Sequence, residues 1–421
     1  MRTRLLAALS FAALLTLACA PSRTPGEWRE THDATPVLLA QLGASDPSVA
    51  VGPDGAVALS WVTRDSIGTD AWVSVTRDSG VSWSEPVRVN DRRGKVSSYP
   101  ESRPLTAWGS DGRLFAVWAA ARDTGLYADD VVARASADHG ATWGAVVPLN
   151  SDHTDPRSTY HGFATLAVRA NGEVVVAWID DRAAKAAGEE PARAEVRATR
   201  TRDGGTPGER DVRVAVEVCP CCRVALAAAG GTTVLAYRGA RDDLRDPRLA
   251  RSDDGFRTVT LDTLVSADRW RLSGCPAMGP ALGAGDEGGG FAWYTGESPV
   301  DSTLGARPAP GLYLTAFDAN GAPTGTPATL GDGLDQAERP LLAAWSEGAL
   351  VGALRRPAGE PDRRVVALRV RAADGALGPR TPFGDDVRSA ALATGRPGRA
   401  WLVRTEGPRE APRVRVTRLT R

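Results

Sequence analysis

The sequence Gly55-Ala-Val-Ala-Leu-Ser-Trp61 is the most informative about the fold, because it recurs along the chain. It recurs as Gly112-Arg-Leu-Phe-Ala-Val-Trp118 and as Gly172-Glu-Val-Val-Val-Ala-Trp178. Each of these copies is a turn glycine followed by an apolar run of β-forming residues, which is typical of a buried strand. The seven copies lie 57, 60, 59, 56, 61 and 49 residues apart, and the four weaker ones end at Tyr237, Trp293, Leu354 and Val403. Repeats of this length with several short strands each predict the blades of a β-propeller.

The first repeat predicts four strands per blade. They are Ser48 to Val51, Val57 to Thr63, Ala71 to Arg77 and Pro86 to Val89, from the inner strand to the outer one. The last repeat supplies only three strands, and Pro36 to Gln41 is the predicted fourth. Pairing it with the C-terminal strands would close the ring and remove both sheet edges. We therefore predict an all-β fold over residues 35–421: a single propeller of four-stranded antiparallel blades, seven in number, with six as the alternative.

A second motif lies between the third and outer strands. The first unit has Thr76-Arg-Asp78-Ser-Gly80-Val-Ser82-Trp83, and the second has Ser136-Ala-Asp138-His-Gly140-Ala-Thr142-Trp143. Degenerate copies occur at residues 201–205 and 252–255. These stretches resemble the Asp-box of sialidases and related BNR-repeat propellers. In such a turn the Asp side chain bonds backbone amides, the glycine takes a positive φ and the Trp packs between strands. We expect structural roles for Asp78, Gly80, Trp83, Asp138, Gly140 and Trp143.

The N-terminal segment predicts export. Arg2 and Arg4 precede an apolar run from Leu5 to Leu17, which has the length of a signal-peptide core. The run ends in Thr16-Leu17-Ala18-Cys19, which resembles a bacterial lipobox. It predicts a signal peptide over residues 1–18, lipid attachment at Cys19 and a flexible tether over residues 19–34. The lipoprotein is expected at the outer membrane rather than the inner one, facing the periplasm or exterior and touching the membrane only through its lipid. An ordinary cleaved signal is the alternative.

The charge balance excludes one class of partner. The chain has 51 Lys and Arg and 51 Asp and Glu, so its net charge is zero. A nucleic-acid-binding protein is expected to carry a basic excess, which is absent here. We expect a monomer that binds a carbohydrate or a small anionic ligand.

Arginines gather at the predicted channel mouth. The starts of the inner strands and the loops between second and third strands open on one face of a propeller, around its axis. The sequence predicts the following ligand-binding residues there: Arg103, His161, Arg182, Arg223, Arg238, Arg339, Arg388 and Trp270. Guanidinium groups bind carboxylates in a bidentate way, so this rim suits an anionic glycan. The alternative is that the arginines form ion pairs between blades.

The resemblance to sialidases implies more about chemistry. The family binds its substrate carboxylate with an arginine triad, and Arg103-Pro104 resembles the motif of the first arginine. A sialidase also needs a tyrosine nucleophile late in the chain, and this sequence has no tyrosine after Tyr313. A hydrolase needs a carboxylate pair, for which Asp180 or Asp181 with Asp242 are the predicted catalytic residues. The resemblance implies an exo-sialidase-like glycoside hydrolase or a glycan-binding protein.

Four cysteines other than Cys19 fall at the starts of neighbouring inner strands: Cys219, Cys221, Cys222 and Cys275. In an exported protein an even number predicts disulfides, one of which would join the cluster at 219–222 to Cys275. The alternative is a thiolate site for copper or zinc, with His161 as an extra ligand. The stretch from Cys219 to Pro280 resembles a branch of exported bacterial sialidase-like proteins. Three function classes stay open: a glycan-active protein, a metal-binding propeller and a non-enzymatic surface scaffold.

Overall fold

The computed structural model describes residues 29–421 apart from 37–38, 40–42, 126, 189–193, 203–209, 230, 286, 298–307, 331–335, 346–347, 358, 361 and 397. The predicted signal peptide and Cys19 lie outside the described residues. They stay predictions, which the mass of the mature N-terminal peptide would test.

Seven antiparallel sheets follow one another along the chain. This arrangement confirms the predicted all-β propeller and the seven blades. Blade 1 contains β2 (Ser45–Val51), β3 (Val57–Arg64), β4 (Thr69–Thr76) and β5 (Val87–Arg88). Blade 2 contains the short β6 (Val96–Ser97), then β7 (Leu105–Trp108), β8 (Leu114–Ala121), β9 (Asp129–Ser136) and β10 (Val147–Pro148). Blade 3 contains β11 (His161–Val168), β12 (Val174–Asp180), β13 (Ala194–Thr201) and β14 (Val212–Val218).

The remaining blades repeat the pattern. Blade 4 contains β15 (Ala225–Ala229), β16 (Thr232–Arg238), β17 (Pro247–Ser252) and β18 (Leu261–Leu264). Blade 5 contains β19 (Ala281–Gly285), β20 (Gly288–Thr295), β21 (Gly311–Asp318) and β22 (Pro323–Thr329). Blade 6 contains β23 (Gln336–Trp345), β24 (Gly348–Arg356), β25 (Val365–Ala372) and β26 (Thr381–Phe383). Blade 7 contains β27 (Val387–Arg396), β28 (Arg399–Glu406), β29 (Arg413–Thr420) and β1 (Arg29–Asp33).

Helix is scarce in this fold. The helix α1 (Arg182–Ala187) connects β12 to β13, and a single 3-10 turn, Arg241–Asp243, follows β16. Among the described residues, no helix combines the length and the apolar character that crossing a membrane requires.

The ring closes through its N-terminal strand. β1 (Arg29–Asp33) pairs antiparallel with β29, the last strand of blade 7. Closure by an N-terminal strand is therefore confirmed, but the prediction that Pro36 to Gln41 forms it is wrong. The tether predicted for residues 19–34 is corrected at its end, because residues 29–33 belong to the sheet. An outer strand can be held by backbone hydrogen bonds alone. Because the sequence of β1 is polar, it has no apolar periodicity from which a strand could be predicted.

A large side chain from each second strand packs between blades. Trp118 of blade 2 belongs to one buried cluster with Val62 and Val73 of blade 1. Trp293 of blade 5 packs in the same way against Val234 of blade 4. Every repeat ends on a residue that is at most 1% exposed: Trp61, Trp118, Trp178, Tyr237, Trp293, Leu354 and Val403. The recurring motif therefore marks the second strands, as the sequence predicts.

The two turns whose sequences resemble the Asp-box are held by their own side chains. In the first, Asp78 Oδ1 accepts hydrogen bonds from the Thr76 hydroxyl at 2.7 Å and the Ser82 amide at 2.9 Å. The Ser82 hydroxyl, which donates to Asp78 Oδ2, and these two bonds together lower the pKa of Asp78 to about 2. The Trp83 indole donates to the carbonyl of Ala34, next to the closing strand. The second turn repeats this geometry: Asp138 Oδ1 accepts hydrogen bonds from the Ser136 hydroxyl and the Thr142 amide. The Trp143 indole donates to the carbonyl of Gly140. The turn glycines Gly80 and Gly140 have φ of +86° and +89°.

Candidate functional site

A cavity of about 440 Å³ opens where the inner strands of blades 2 to 6 begin. We call it the mouth pocket. It is lined by Tyr99, Pro100, Glu101, Tyr127, Ser158, Tyr160, Phe163, Ile179, Asp181, Lys185, Ala194, Pro220, Cys221, Cys275, Ala277 and Arg339. The lining is largely apolar, with a few charged groups among the aromatic ones, which is the usual composition of a small-molecule site.

Three aromatic side chains form one wall of the mouth pocket. Phe163 meets Tyr99 edge to face at 5.3 Å and Tyr160 at 6.1 Å between ring centroids. The hydroxyls of Tyr99 and Tyr160 are hydrogen-bonded to each other. Gly162 permits this packing, since a Cβ there would lie 2.0 Å from the Tyr160 hydroxyl. Burial raises the pKa of both tyrosines, so each phenol keeps its proton at neutral pH.

Two of the lining residues owe their direction to β-bulges. The pairing register shifts between Gly162 and Thr165 in β11, and between Glu338 and Pro340 in β23. Phe163 and Arg339 lie inside these irregular segments, with φ of +55° and +49°. A bulge turns a side chain away from the regular alternation of a strand. Tyr127 and Ala277 also line the pocket with positive φ. Strained backbone conformations of this kind gather at functional sites.

Asp181 is the buried carboxylate on one side of the mouth pocket. It directly follows β12, and its backbone carbonyl accepts the Lys185 amide of α1 at 3.0 Å. Its Oδ1 accepts the Tyr160 amide at 2.7 Å. Burial raises the pKa of Asp181, and the nearby charge of Lys185 only partly offsets this effect. The geometry thus presents a carboxyl group that holds a proton more firmly than a free aspartic acid.

Glu101 is the second carboxylate of the pocket, and two arginines hold it. Arg223 Nη1 lies 3.0 Å from Glu101 Oε2, and Arg339 Nε lies 3.4 Å from Oε1. The same guanidinium groups donate to backbone carbonyls of Pro340 and Arg388, at 2.6 and 2.7 Å. The structure therefore brings the predicted Arg223 and Arg339 together around a carboxylate of the protein itself.

A second cavity, of about 260 Å³, continues along the axis below the mouth pocket. We call it the channel chamber. Glu101 lines both cavities, so the layer of Glu101 and its arginines lies between them. Arg103 lines the channel chamber, where its guanidinium donates to the carbonyls of Pro47 at 3.2 Å and Ala390 at 2.9 Å. Burial lowers the pKa of Arg103 to about 10, still far above neutral pH.

Three predicted site residues lie behind the pocket wall instead of lining it. His161 is fully buried, with Nε2 3.1 Å from Asp152 and 3.4 Å from Asp180. Arg182 pairs with Asp180 at 2.7 Å and with Asp211 at 2.9 Å. These groups satisfy one another in an ion-pair network of blade 3, so the structure lends no support to the predictions that His161 and Arg182 bind ligand and that Asp180 is catalytic, which stay predictions. Within the described part of the chain, Cys219, Cys221 and Cys222 lie close enough together to share a metal ion, and His161 does not belong to this cluster.

The other predicted residues hold the ring together or lie on its surface. Arg238 is 2% exposed, donates to the carbonyls of Met278 and Tyr294, and stacks on Trp270 at 5.0 Å. Trp270 in turn donates to the carbonyl of Glu297. Arg238 and Trp270 do not line the mouth pocket, and their ligand-binding roles stay predictions. The same holds for the predicted ligand-binding role of Arg388, which donates to the carbonyl of Gly407, and for the predicted catalytic role of Asp242, which lies exposed in the 3-10 turn.

All four described cysteines are paired. Cys221 joins Cys275 between blades 4 and 5, and Cys219 joins Cys222. The disulfide prediction is confirmed, including the bridge from the cluster to Cys275. Cys221 and Cys275 line the mouth pocket, so this bridge is part of its wall.

Several pocket residues escaped the sequence reasoning as site residues. They are Glu101, Tyr99, Tyr127, Tyr160, Phe163 and Lys185. Most of them lie within a few residues of a predicted inner-strand start, so their position in the repeat was the only feature of the sequence that could have indicated a place in the pocket. The sequence reasoning favoured arginine at those starts, whereas the carboxylate and the aromatic rings face the cavity.

The seven blades and the axial pocket define a sialidase-like β-propeller. The polysaccharide lyase Uly1 has a similar structure, with a TM-score of 0.54, 10% identity and coverage of 89% of each chain. The Hadza microbial sialidase Hz136 gives a TM-score of 0.50 at 11% identity, covering 90% of this chain and 66% of that one. At these identities the likeness is one of fold. The sequence matches no protein-family model and no curated protein.

Proposed function

We propose that this propeller binds the terminal acidic sugar of a glycan in the mouth pocket and hydrolyses its glycosidic bond. The observation that carries the proposal is the meeting of an aromatic wall, two carboxylates and two cations in one cavity of about 440 Å³. The names of the two propellers compared above point to carbohydrate ligands as well.

The walls of the pocket suit a sugar with a negative charge. The Tyr99, Tyr160 and Phe163 rings offer apolar surface for the C–H faces of a pyranose. Lys185 and Arg339 supply positive charge for a carboxylate of the ligand. The phenols of Tyr99 and Tyr160 keep their protons and are hydrogen-bonded to each other, so we do not assign either of them the role of the nucleophile that sialidases use.

Two carboxylates with different environments suit glycoside hydrolysis. Asp181, with its raised pKa, would act as the general acid and protonate the oxygen of the leaving group. Glu101, held between Arg223 and Arg339, would face the sugar ring and either attack the anomeric carbon or activate a water. Of the predicted pair, Asp181 keeps its role, and Glu101 replaces Asp180 and Asp242.

The test is hydrolysis of aryl glycosides of sialic acid, glucuronic acid and galactose by the purified protein. We expect turnover of an acidic glycoside, and we expect Asp181→Asn to lower kcat/KM by roughly 10²- to 10⁴-fold, the usual contribution of a general acid. The activity should fall as pH rises through the raised pKa of Asp181, because the acid form is lost.

Asp242→Asn is the matched control, since it removes an exposed carboxylate outside the mouth pocket. The proposal fails if the wild-type protein neither hydrolyses nor binds any of the three sugars at millimolar concentration. Equal activity of Asp181→Asn and Asp242→Asn would overturn the role of Asp181. Binding of an acidic sugar without turnover would reduce the function to glycan recognition and overturn the hydrolase part.

A further inference from the structure

Three of the four cysteines bring their sulfur atoms into one group, and the fourth, Cys275, is bonded to one of them. Besides the two disulfides, Cys219 Sγ lies 3.8 Å from Cys221 Sγ, across the two bridges. The sulfurs of Cys219, Cys221 and Cys222 all lie within 4.8 Å of one another, and Cys275 is bonded to the second of them. No step of the proposed hydrolysis uses this group.

The spacing matches the needs of a metal site. In tetrahedral thiolate sites the Zn–S bond is about 2.3 Å, so two ligand sulfurs lie about 3.8 Å apart. The separation of Cys219 and Cys221 already has this value. We propose that, once both disulfides are reduced, Cys219, Cys221, Cys222 and Cys275 together bind one thiophilic d¹⁰ cation, Zn²⁺ or Cu⁺, as thiolates.

A buried cation lies close to the chain at Cys275. Arg245 is 4% exposed and donates to the carbonyl of Gly274, the residue before Cys275, at 3.2 Å. Its carboxylate neighbour Asp243 is 3.5 Å away. A positive charge near a cysteine favours its thiolate form.

The two disulfides differ in access. Cys275 is exposed and Cys221 lines the mouth pocket, whereas Cys219 and Cys222 are each 1% exposed. A dithiol reductant therefore meets the Cys221–Cys275 bridge first. Each dithiol gives two electrons and two protons to one disulfide and becomes a cyclic disulfide, so two equivalents yield four thiols. Metal binding then releases the thiol protons.

The experiment uses the folded protein, reduced with dithiothreitol and desalted without oxygen. Zn²⁺ binding is followed by competition with a chromophoric chelator, and Cu⁺ binding by competition with bathocuproine. We expect one cation per reduced chain and none in the oxidised chain, with the circular dichroism of the propeller retained. The cation for which the protein competes more strongly with the chelator, Zn²⁺ or Cu⁺, is the one that the site prefers.

Cys275→Ser should weaken binding at least tenfold, because it removes one of the four ligands. Ser273→Ala, two residues earlier and also exposed, is the matched control and should bind as the wild type does. The inference is overturned if the reduced, folded protein takes up neither metal, or if Cys275→Ser binds as tightly as the control. If reduction unfolds the chain, refolding on metal addition supports the site, and failure to refold overturns it.

These measurements need no sugar, so the metal site and the proposed hydrolase stand or fall separately. Asp181→Asn, which should lower kcat/KM for hydrolysis by roughly 10²- to 10⁴-fold, is expected to bind the metal normally. Loss of glycan activity with metal binding intact would therefore count against the proposed function alone.

Discussion

At the scale of the residue, two neighbouring carboxylates show how position decides role. Asp180 ends β12 with its side chain fully buried, where it accepts from the Trp178 indole at 2.9 Å and pairs with Arg182. Asp181, one position later, turns into the mouth pocket. Successive residues at the end of a strand point to opposite sides, so one step along the chain separates a carboxylate held in a structural ion pair from a carboxylate that lines the mouth pocket.

The His161 cluster predicts a pH-dependent stability. Burial disfavours the imidazolium, but Asp152 and Asp180 outweigh this effect and raise the pKa of His161 above 6.5. The resulting stabilisation is fully present below the unfolded pKa, near 6.5, and is lost as pH rises through the folded pKa. We expect the urea midpoint of unfolding to fall over this range. His161→Asn should remove that component of the slope and cost about 1–3 kcal/mol, because buried carboxylates lose a partner.

The control for His161 is His153→Asn, in the preceding loop, where the side chain is exposed. It should leave both the midpoint and its pH dependence unchanged. If His161→Asn and the wild type show the same dependence on pH above 6.5, the imidazolium is not the source of the stability.

At the scale of the element, the second strands carry the interfaces between blades. In blades 1 to 5 the last large side chain lies in a cluster with the preceding sheet, as Trp118 does with Val62 and Val73. In blades 6 and 7 the corresponding Leu354 and Val403 lie in a cluster with the following sheet. The ring is therefore a chain of nearest-neighbour contacts, each built around one buried residue. This arrangement explains why the motif repeats in the sequence at blade-length intervals.

Trp118→Ala should destabilise the propeller by about 3–5 kcal/mol, the usual cost of removing a buried aromatic side chain and leaving a cavity. Guanidinium unfolding followed by circular dichroism measures the change. Val81→Ala is the control, since Val81 is 78% exposed, and it should shift stability by at most about 0.5 kcal/mol. A Trp118→Ala protein as stable as this control would contradict the interface described here.

At the scale of the whole molecule, closure joins the two ends of the chain. β1 pairs with β29, and the next residue, Ala34, donates its amide to the carbonyl of Val416 at 2.9 Å. Trp83 of the first Asp-box then donates to the carbonyl of Ala34. A residue near the N-terminus, the first blade and the last blade thus meet at one point, and the outer edge of blade 7 is covered.

Removing residues 1–34 should expose the edge of β29 and lower the thermal midpoint of unfolding. An exposed strand edge also templates association, so the truncated protein should form larger species in light scattering. Removing residues 1–28 leaves β1 in place and is the matched control. If both truncations unfold at the same temperature and stay monomeric, β1 does not contribute to closure.

The architecture could be predicted from the sequence, because a repeated buried strand can bury its apolar face only against copies of itself. The spacing of motifs predicted the seven second strands, the disulfide to Cys275 and a channel mouth built from the starts of the inner strands. Which side chains face the cavity depends on the three-dimensional packing and could not be predicted in this way. Bulges at Phe163 and Arg339 turn these side chains out of the regular alternation of their strands. Arginines such as Arg238 donate their hydrogen bonds to backbone carbonyls of a neighbouring blade. These contacts join residues far apart in the chain, so no local pattern could reveal them.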